Sequence, residues 1–253
     1  TVSAQPIGIQ CTVSNGSGNA TASVTNIAVT CSNRAGKYAY VTNFSSGTIS
    51  AFNIDNNTGS LTPISGSPFV TTTHPASVAT HPSGKFLYVA DSNANTPLSA
   101  YSIDASGAIT LIDTYDQGGS SYSVTVDPQG KFVFLANASG YVQSFIINQS
   151  SGSLTFVGAY QAGTTPVAVT VDPSSKYVYV LNQGSNNISA FAINSNTGAL
   201  TSIANYAAGF GYSLVVDPSG NYLYSASVRN GKNVQFYIIN RSTGALTTMG
   251  GYG

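Results

Sequence analysis

Side chains able to do chemistry are scarce in this chain of 253 residues. It carries two histidines, His74 and His81, eight Asp, no Glu and two Cys. Glycoside hydrolysis needs two opposed carboxyl groups, one with a raised pKa. The acids here are spoken for or scattered. Asp127, Asp172 and Asp217 open the turns "DPQG", "DPSS" and "DPSG", where an Asp side chain accepts local N–H bonds. Asp55 and Asp104 lie beside Asn/Ser/Gly turns, which leaves Asp91, Asp113 and Asp116. No G-x-S-x-G elbow and no nucleophile–His–acid arrangement is present. Neither EF-hand spacing nor a Cys/His zinc pattern occurs. These residues predict no catalytic set, no metal and no cofactor. His81 takes the place of a turn Asp, whereas His74, in the loop "SGSPFVTTTHP", is the better site candidate.

A binding function leaves more to work with. One polar position recurs at the end of an aromatic stretch: Asn43, Asp91, Asn137, Asn182 and Ser227. Amides beside exposed rings suit sugars or protein surfaces. The candidate ligand set is Asn43, Asp91, Asn137, Asn182, His74, Phe210, Tyr212 and Arg229. The competing reading is that the amides merely close strand ends through local hydrogen bonds.

Charged residues make up 6% of the chain and the net charge is zero, so there is no electrostatic footprint for nucleic acid. No apolar run approaches the roughly 18 residues of a membrane helix, so no membrane insertion is expected. Cys11 and Cys31 are expected to form a disulfide, which would close a loop worth about 3 kcal/mol and imply an oxidising compartment. The opening "TVSAQP" reads as the start of a processed chain. An extracellular or cell-surface location is the expectation.

The elements that hold these residues repeat. Phrases starting at Lys37, Lys85, Lys131, Lys176 and Asn221 recur every 45–48 residues. Each begins with an aromatic/aliphatic alternation: "YAYV", "FLYV", "FVFL", "YVYV", "YLYS". Period two with both faces apolar describes a strand packed on both sides. A second strand ("ISAFNI"), an Asn/Ser/Gly hairpin turn ("NNTG"), a third strand ("SLTPI") and a fourth leading into the next copy complete the unit. Four short strands in about 45 residues predict an all-β fold, a β-propeller of about five four-stranded blades. Residues 1–25 form an N-terminal β segment tied on by the disulfide, and 26–253 the propeller. Residues 25–36 sit where the inner strand of the first blade belongs.

"YVTN" at Tyr40–Asn43, "GTISAFN" and "DPxG" together resemble the YVTN-type repeat of prokaryotic cell-surface β-propellers. The "TGxLT" phrases resemble related lactonase-like propellers. The likeness covers residues 37–253. Members commonly have seven blades, against five phrase starts here. The resemblance implies that a lactonase would gather acidic, basic or metal-binding residues near the central channel. The inner strands here offer Ser77, Ser123, Ala168 and Ser213 instead. The favoured expectation is therefore a non-catalytic adhesion or self-assembly module of the cell surface. Its partner would be a protein, itself included through N-terminal strand addition, or a glycan. The alternatives are a carbohydrate-binding propeller and a lactonase-like enzyme.

Overall fold

A computed structural model describes residues 9–14, 28–33, 36–93, 95–227 and 234–252. A hairpin of β1 (Ile9–Ser14) and β2 (Ala28–Asn33) comes first. Five antiparallel sheets follow in chain order. Sheet one has β3 (Tyr38–Asn43) and β4 (Thr48–Ile54), with the short β5 (Leu61–Pro63) and β6 (Phe69–Val70) both paired to β4. Sheet two is β7 (Pro75–Thr80), β8 (Phe86–Asp91), β9 (Leu98–Ile103) and β10 (Ile109–Tyr115). Sheet three is β11 (Ser121–Val126), β12 (Phe132–Asn137), β13 (Tyr141–Ile147) and β14 (Leu154–Gln161). Sheet four is β15 (Pro166–Val171), β16 (Tyr177–Asn182), β17 (Asn187–Ile193) and β18 (Leu200–Ala207). Sheet five is β19 (Gly211–Val216), β20 (Tyr222–Ser227), β21 (Val234–Ile239) and β22 (Leu246–Tyr252). Each of the last four sheets is a simple up-and-down meander.

The inner strands β7, β11, β15 and β19 lie side by side, which is the arrangement of propeller blades. Hydroxyls link them: Ser77 Oγ accepts from Val124 N at 3.3 Å, and Ser123 Oγ from Val169 N at 3.2 Å. Of residues 25–36, expected in the slot beside β3, the described strand β2 does not join that sheet. β2 pairs with β1 instead. Among the described residues no helix is long and apolar enough to cross a membrane.

The core is a set of seams between neighbouring blades. The aromatic first and third residues of one blade's second strand pack on the aliphatic residues of the next. Phe86 and Tyr88 meet Val133 and Leu135; Phe132 and Phe134 meet Val178 and Val180. Tyr177 and Tyr179 meet Leu223. This buries every residue of β8, β12 and β16. β20 departs from the expectation of two-sided packing. Leu223 is fully buried, but Tyr222 and Tyr224 remain 41% and 37% exposed. Among the described residues no further sheet packs over these two aromatics.

Turn chemistry follows the sequence. Asp127, Asp172 and Asp217 each accept backbone N–H bonds from the residues two, four and five further on. His81 reproduces part of this, with Nδ1 accepting from Ser83 N at 3.0 Å while Nε2 donates to Gly130 O at 2.9 Å.

Candidate functional site

In every blade from the second onward, the first residue of the inner strand pairs with the last residue of the next strand. The pairs are Pro75 with Asp91, Ser121 with Asn137, Pro166 with Asn182, and Gly211 with Ser227. The recurrent polar position therefore lies on one face of the propeller, together with the loops that enter the inner strands.

The side chains at that position turn inward. Asp91, Asn137, Asn182 and Ser227 are buried. Asn43 Nδ2 donates to Thr48 Oγ1 and Ser50 Oγ. Asp91 accepts from His74 N at 3.0 Å and Asn93 N at 2.6 Å. Asn137 Nδ2 donates to Gly118 O, and its Oδ1 accepts from Ser139 N. Asn182 Nδ2 donates to Asn187 Oδ1 at 2.8 Å and Ser189 Oγ at 2.9 Å. Ser227 Oγ donates to Phe210 O. These groups hold the loops that form the face.

The loop residues are more open. His74 is exposed, with its ring 5.2 Å from that of Phe44. Phe210 and Tyr212 stack edge to face at 5.7 Å, and Tyr212 is 60% exposed. Tyr212 owes its exposure to a register shift between Gly211 and Ser213. Such a bulge leaves one residue unpaired and re-aims its side chain. Ala76, Tyr122 and Val167 occupy the same step in the other inner strands. Arg229 lies outside the described residues.

Sequence reasoning missed a groove on this face between blades three and four. It has a volume of ≈ 300 Å³ and is lined by Ser139, Gln161, Thr164, Ser185, Asn187 and Asn205, among others. It joins turns from four strand ends, so no local spacing announces it. Gly163 is required there: a Cβ would fall 2.7 Å from Asn187 Oδ1 and 2.8 Å from Asn182 Cβ. Thr164 N donates to Ser185 Oγ, which donates to Asn187 Oδ1, so one wall is a preset chain of hydrogen bonds. Asn182, bonded to Asn187, keeps a buried Oδ1 with no protein partner.

A larger cavity of ≈ 380 Å³ opens at the opposite end of blades one and two. Its polar groups are committed to structure. Lys37 Nζ donates to Ala105 O at 3.0 Å and lies over the Tyr38 ring, and both nitrogens of His81 are engaged. The groove, with its exposed amides and hydroxyls, is the better binding candidate. Among the described residues no group of three His, Cys, Asp or Glu is placed to hold a metal ion.

Fold and comparisons agree on the class. The molecule is built as a β-propeller, and it belongs to the lactonase, 7-bladed beta-propeller family, which matches residues 29–171, 138–211 and 166–252. Among solved structures it is similar to a candidate 6-phosphogluconolactonase of Bacteroides uniformis, at 23% identity and a TM-score of 0.75 over 85% of this chain and 67% of that one. It also resembles the periplasmic gluconolactonase of Pseudomonas aeruginosa, at 16% identity and TM-score 0.50 over 81% and 78%. The hydrazine synthase of Kuenenia stuttgartiensis gives 19% identity and TM-score 0.61 over 85% and 63%. At such identities the likenesses speak for the fold. No curated protein matches the chain.

The family membership overturns two expectations, that the chain is a non-catalytic adhesion or self-assembly module and that it is not an enzyme. Both rested on finding no catalytic constellation after the blade residues were set aside. In a propeller, loops from separate blades converge on one face. Residues that act together then need no recognisable spacing in sequence.

Proposed function

We propose that the chain is a lactonase-type propeller that hydrolyses sugar-derived lactones on the face where its inner strands begin. The observation that carries this reading is the family match, whose three segments together run from residue 29 to 252. The gluconolactonase and candidate 6-phosphogluconolactonase among its structural neighbours suggest the aldonic lactone class. The same face carries the groove between blades three and four, two blades away from the His74 loop, which adds polar surface to that face without seating the carbonyl at His74. The groove's amides and hydroxyls match the many neutral donors and acceptors of a sugar ring.

Lactone opening requires a water oxygen to bond to the carbonyl carbon. The water gives up a proton to a base, the ring C–O bond breaks, and the released alkoxide takes a proton. His74 is the base we assign. Of the two imidazoles, His81 has both nitrogens engaged, whereas His74 is exposed on the proposed face. Its backbone N–H is fixed by Asp91, which leaves the ring free of that task. A positioned general base contributes about 10²–10⁴-fold.

The test is proton release from glucono-1,5-lactone and from its 6-phosphate, measured against spontaneous opening. We expect turnover of at least one, lowered about 10²-fold or more by His74→Ala with KM little changed. Rates equal to spontaneous opening for both would sink the reading. Wild-type turnover in His74→Ala would remove His74 from it.

A further inference from the structure

One strand position is filled differently from blade to blade. It is the residue paired with Leu135 in blade three, Val180 in blade four and Ser225 in blade five: Gln143, Ser189 and Gln235. Gln143 is buried, and its Nε2 donates at 3.1 Å to Gln117 O in the loop entering blade three. Gln235 Oε1 accepts at 2.7 Å from Gly209 N in the loop entering blade five. In both blades a long amide ties the sheet to its entering loop, and a small residue, Ala159 or Gly251, stands opposite on the outer strand. Blade four reverses the pair. Its short Ser189 stands opposite Asn205, which is exposed and lines the groove between blades three and four. Ser189 Oγ accepts from Asn182 Nδ2 instead. The groove, ≈ 300 Å³, lies between Asn205 and the entering loop, the span that a glutamine bridges in the other two blades. Blade two also has a serine there, Ser99, but its turn closes on the entering loop through Asn93 Nδ2, which donates to Thr73 Oγ1 at 2.7 Å.

The groove walls offer hydrogen-bonding groups and no charge. Asn187 Oδ1 accepts from both Asn182 Nδ2 and Ser185 Oγ, which leaves its Nδ2 to donate. The side chains of Gln161, Thr164 and Asn205 add two amides and a hydroxyl. No lining residue is charged, and the apolar ones are alanine and glycine. The backbone around the groove is strained: Thr165 has φ 53° and Asn186 φ 50°. A β-branched residue in the left-handed region is an outlier, and such strain persists where the surroundings fix it, commonly at ligand sites.

We propose that this groove binds one neutral monosaccharide unit, at a site separate from the His74 loop. Its volume is at the lower end of the roughly 300–1,000 Å³ of small-ligand sites, room for a single sugar ring. Sugar hydroxyls both donate and accept, as amides and hydroxyls require of a partner. An anion meets no cation here, and an apolar side chain meets no apolar pocket. The proposal rests on the groove alone and is independent of the lactonase reading.

The test is an NMR titration of the ¹⁵N-labelled protein with glucose, galactose and N-acetylglucosamine, and with glucose 6-phosphate as the charged comparison. At least one neutral sugar should shift the amide signals of Thr164, Ser185 and Asn187 saturably, and glucose 6-phosphate should bind more weakly than that sugar. The double variant Ser189→Gln with Asn205→Ala carries the blade-three pair into blade four and should weaken binding at least about tenfold. Gln161→Ala and Asn205→Ala, single changes at exposed positions, should each weaken it about threefold. Absence of saturable shifts with all the neutral sugars, shifts confined to the His74 loop, tighter binding of glucose 6-phosphate, or wild-type affinity in the folded double variant would each overturn the proposal. Should the double variant not fold, wild-type affinity in both single variants would overturn it.

Discussion

Asp217 illustrates how much a single residue does in a chain with so few charges. Burial raises its pKa, but hydrogen bonds from Ser219, Tyr222 and Asn221 outweigh it, and the carboxyl titrates below the usual range. A carboxyl with a depressed folded pKa stabilises the fold above its unfolded pKa of about 3.9 and loses that contribution as pH falls. Urea unfolding near neutral pH and again near pH 3 should show the wild type losing more stability than Asp217→Asn. Equal losses would mean that the turn does not depend on the charge. The role of this Asp was legible because "DPSG" is a local motif. The orientation of Asn137 and Asn182 was not. Their recurrence marked a shared position, but only the loops folded over them decide that their amides point inward, where both Nδ2 groups donate to neighbouring protein oxygens.

Among the elements, the hairpin of β1 and β2 carries the clearest prediction. Its register sets Cys11 opposite Cys31. Directly opposed residues of an antiparallel pair have Cα atoms about 4.5–5.5 Å apart. A disulfide accepts about 4.4–6.8 Å. Intact mass two hydrogens lower than the dithiol, with no thiol titrating before reduction, is the expected result. Two titratable thiols in the folded, unreduced protein would contradict it. Strands such as β8, β12 and β16 were readable because apolar residues on both faces demand two neighbours. The bulges that expose Tyr122 and Tyr212 were not, since a bulge exists only relative to a partner strand.

For the whole molecule, the seams between blades set the stability. Tyr40, Tyr88 and Tyr179 have pKa values pushed well above the ordinary range, chiefly by burial. Each donates its hydroxyl proton across a seam. A group whose folded pKa is raised contributes fully below its unfolded value, about 10 for Tyr, and less as pH rises beyond it. Stability should therefore fall as pH rises past about 10, and Tyr179→Phe should flatten that fall while costing about 1 kcal/mol at neutral pH. A variant as alkali-sensitive as the wild type would rule out this seam as the cause. The repeat length, the four strands of each unit and the turn residues were all written in the sequence, because period two and turn chemistry act within a few residues. Three features depended instead on contacts between segments about a whole repeat apart: the groove between blades three and four, the second bond that ties down His81, and the uncovered Tyr222 and Tyr224. Such contacts leave no local pattern, so folding alone buries one Tyr-x-Tyr pair and leaves another, of the same spelling, part-exposed among the described residues.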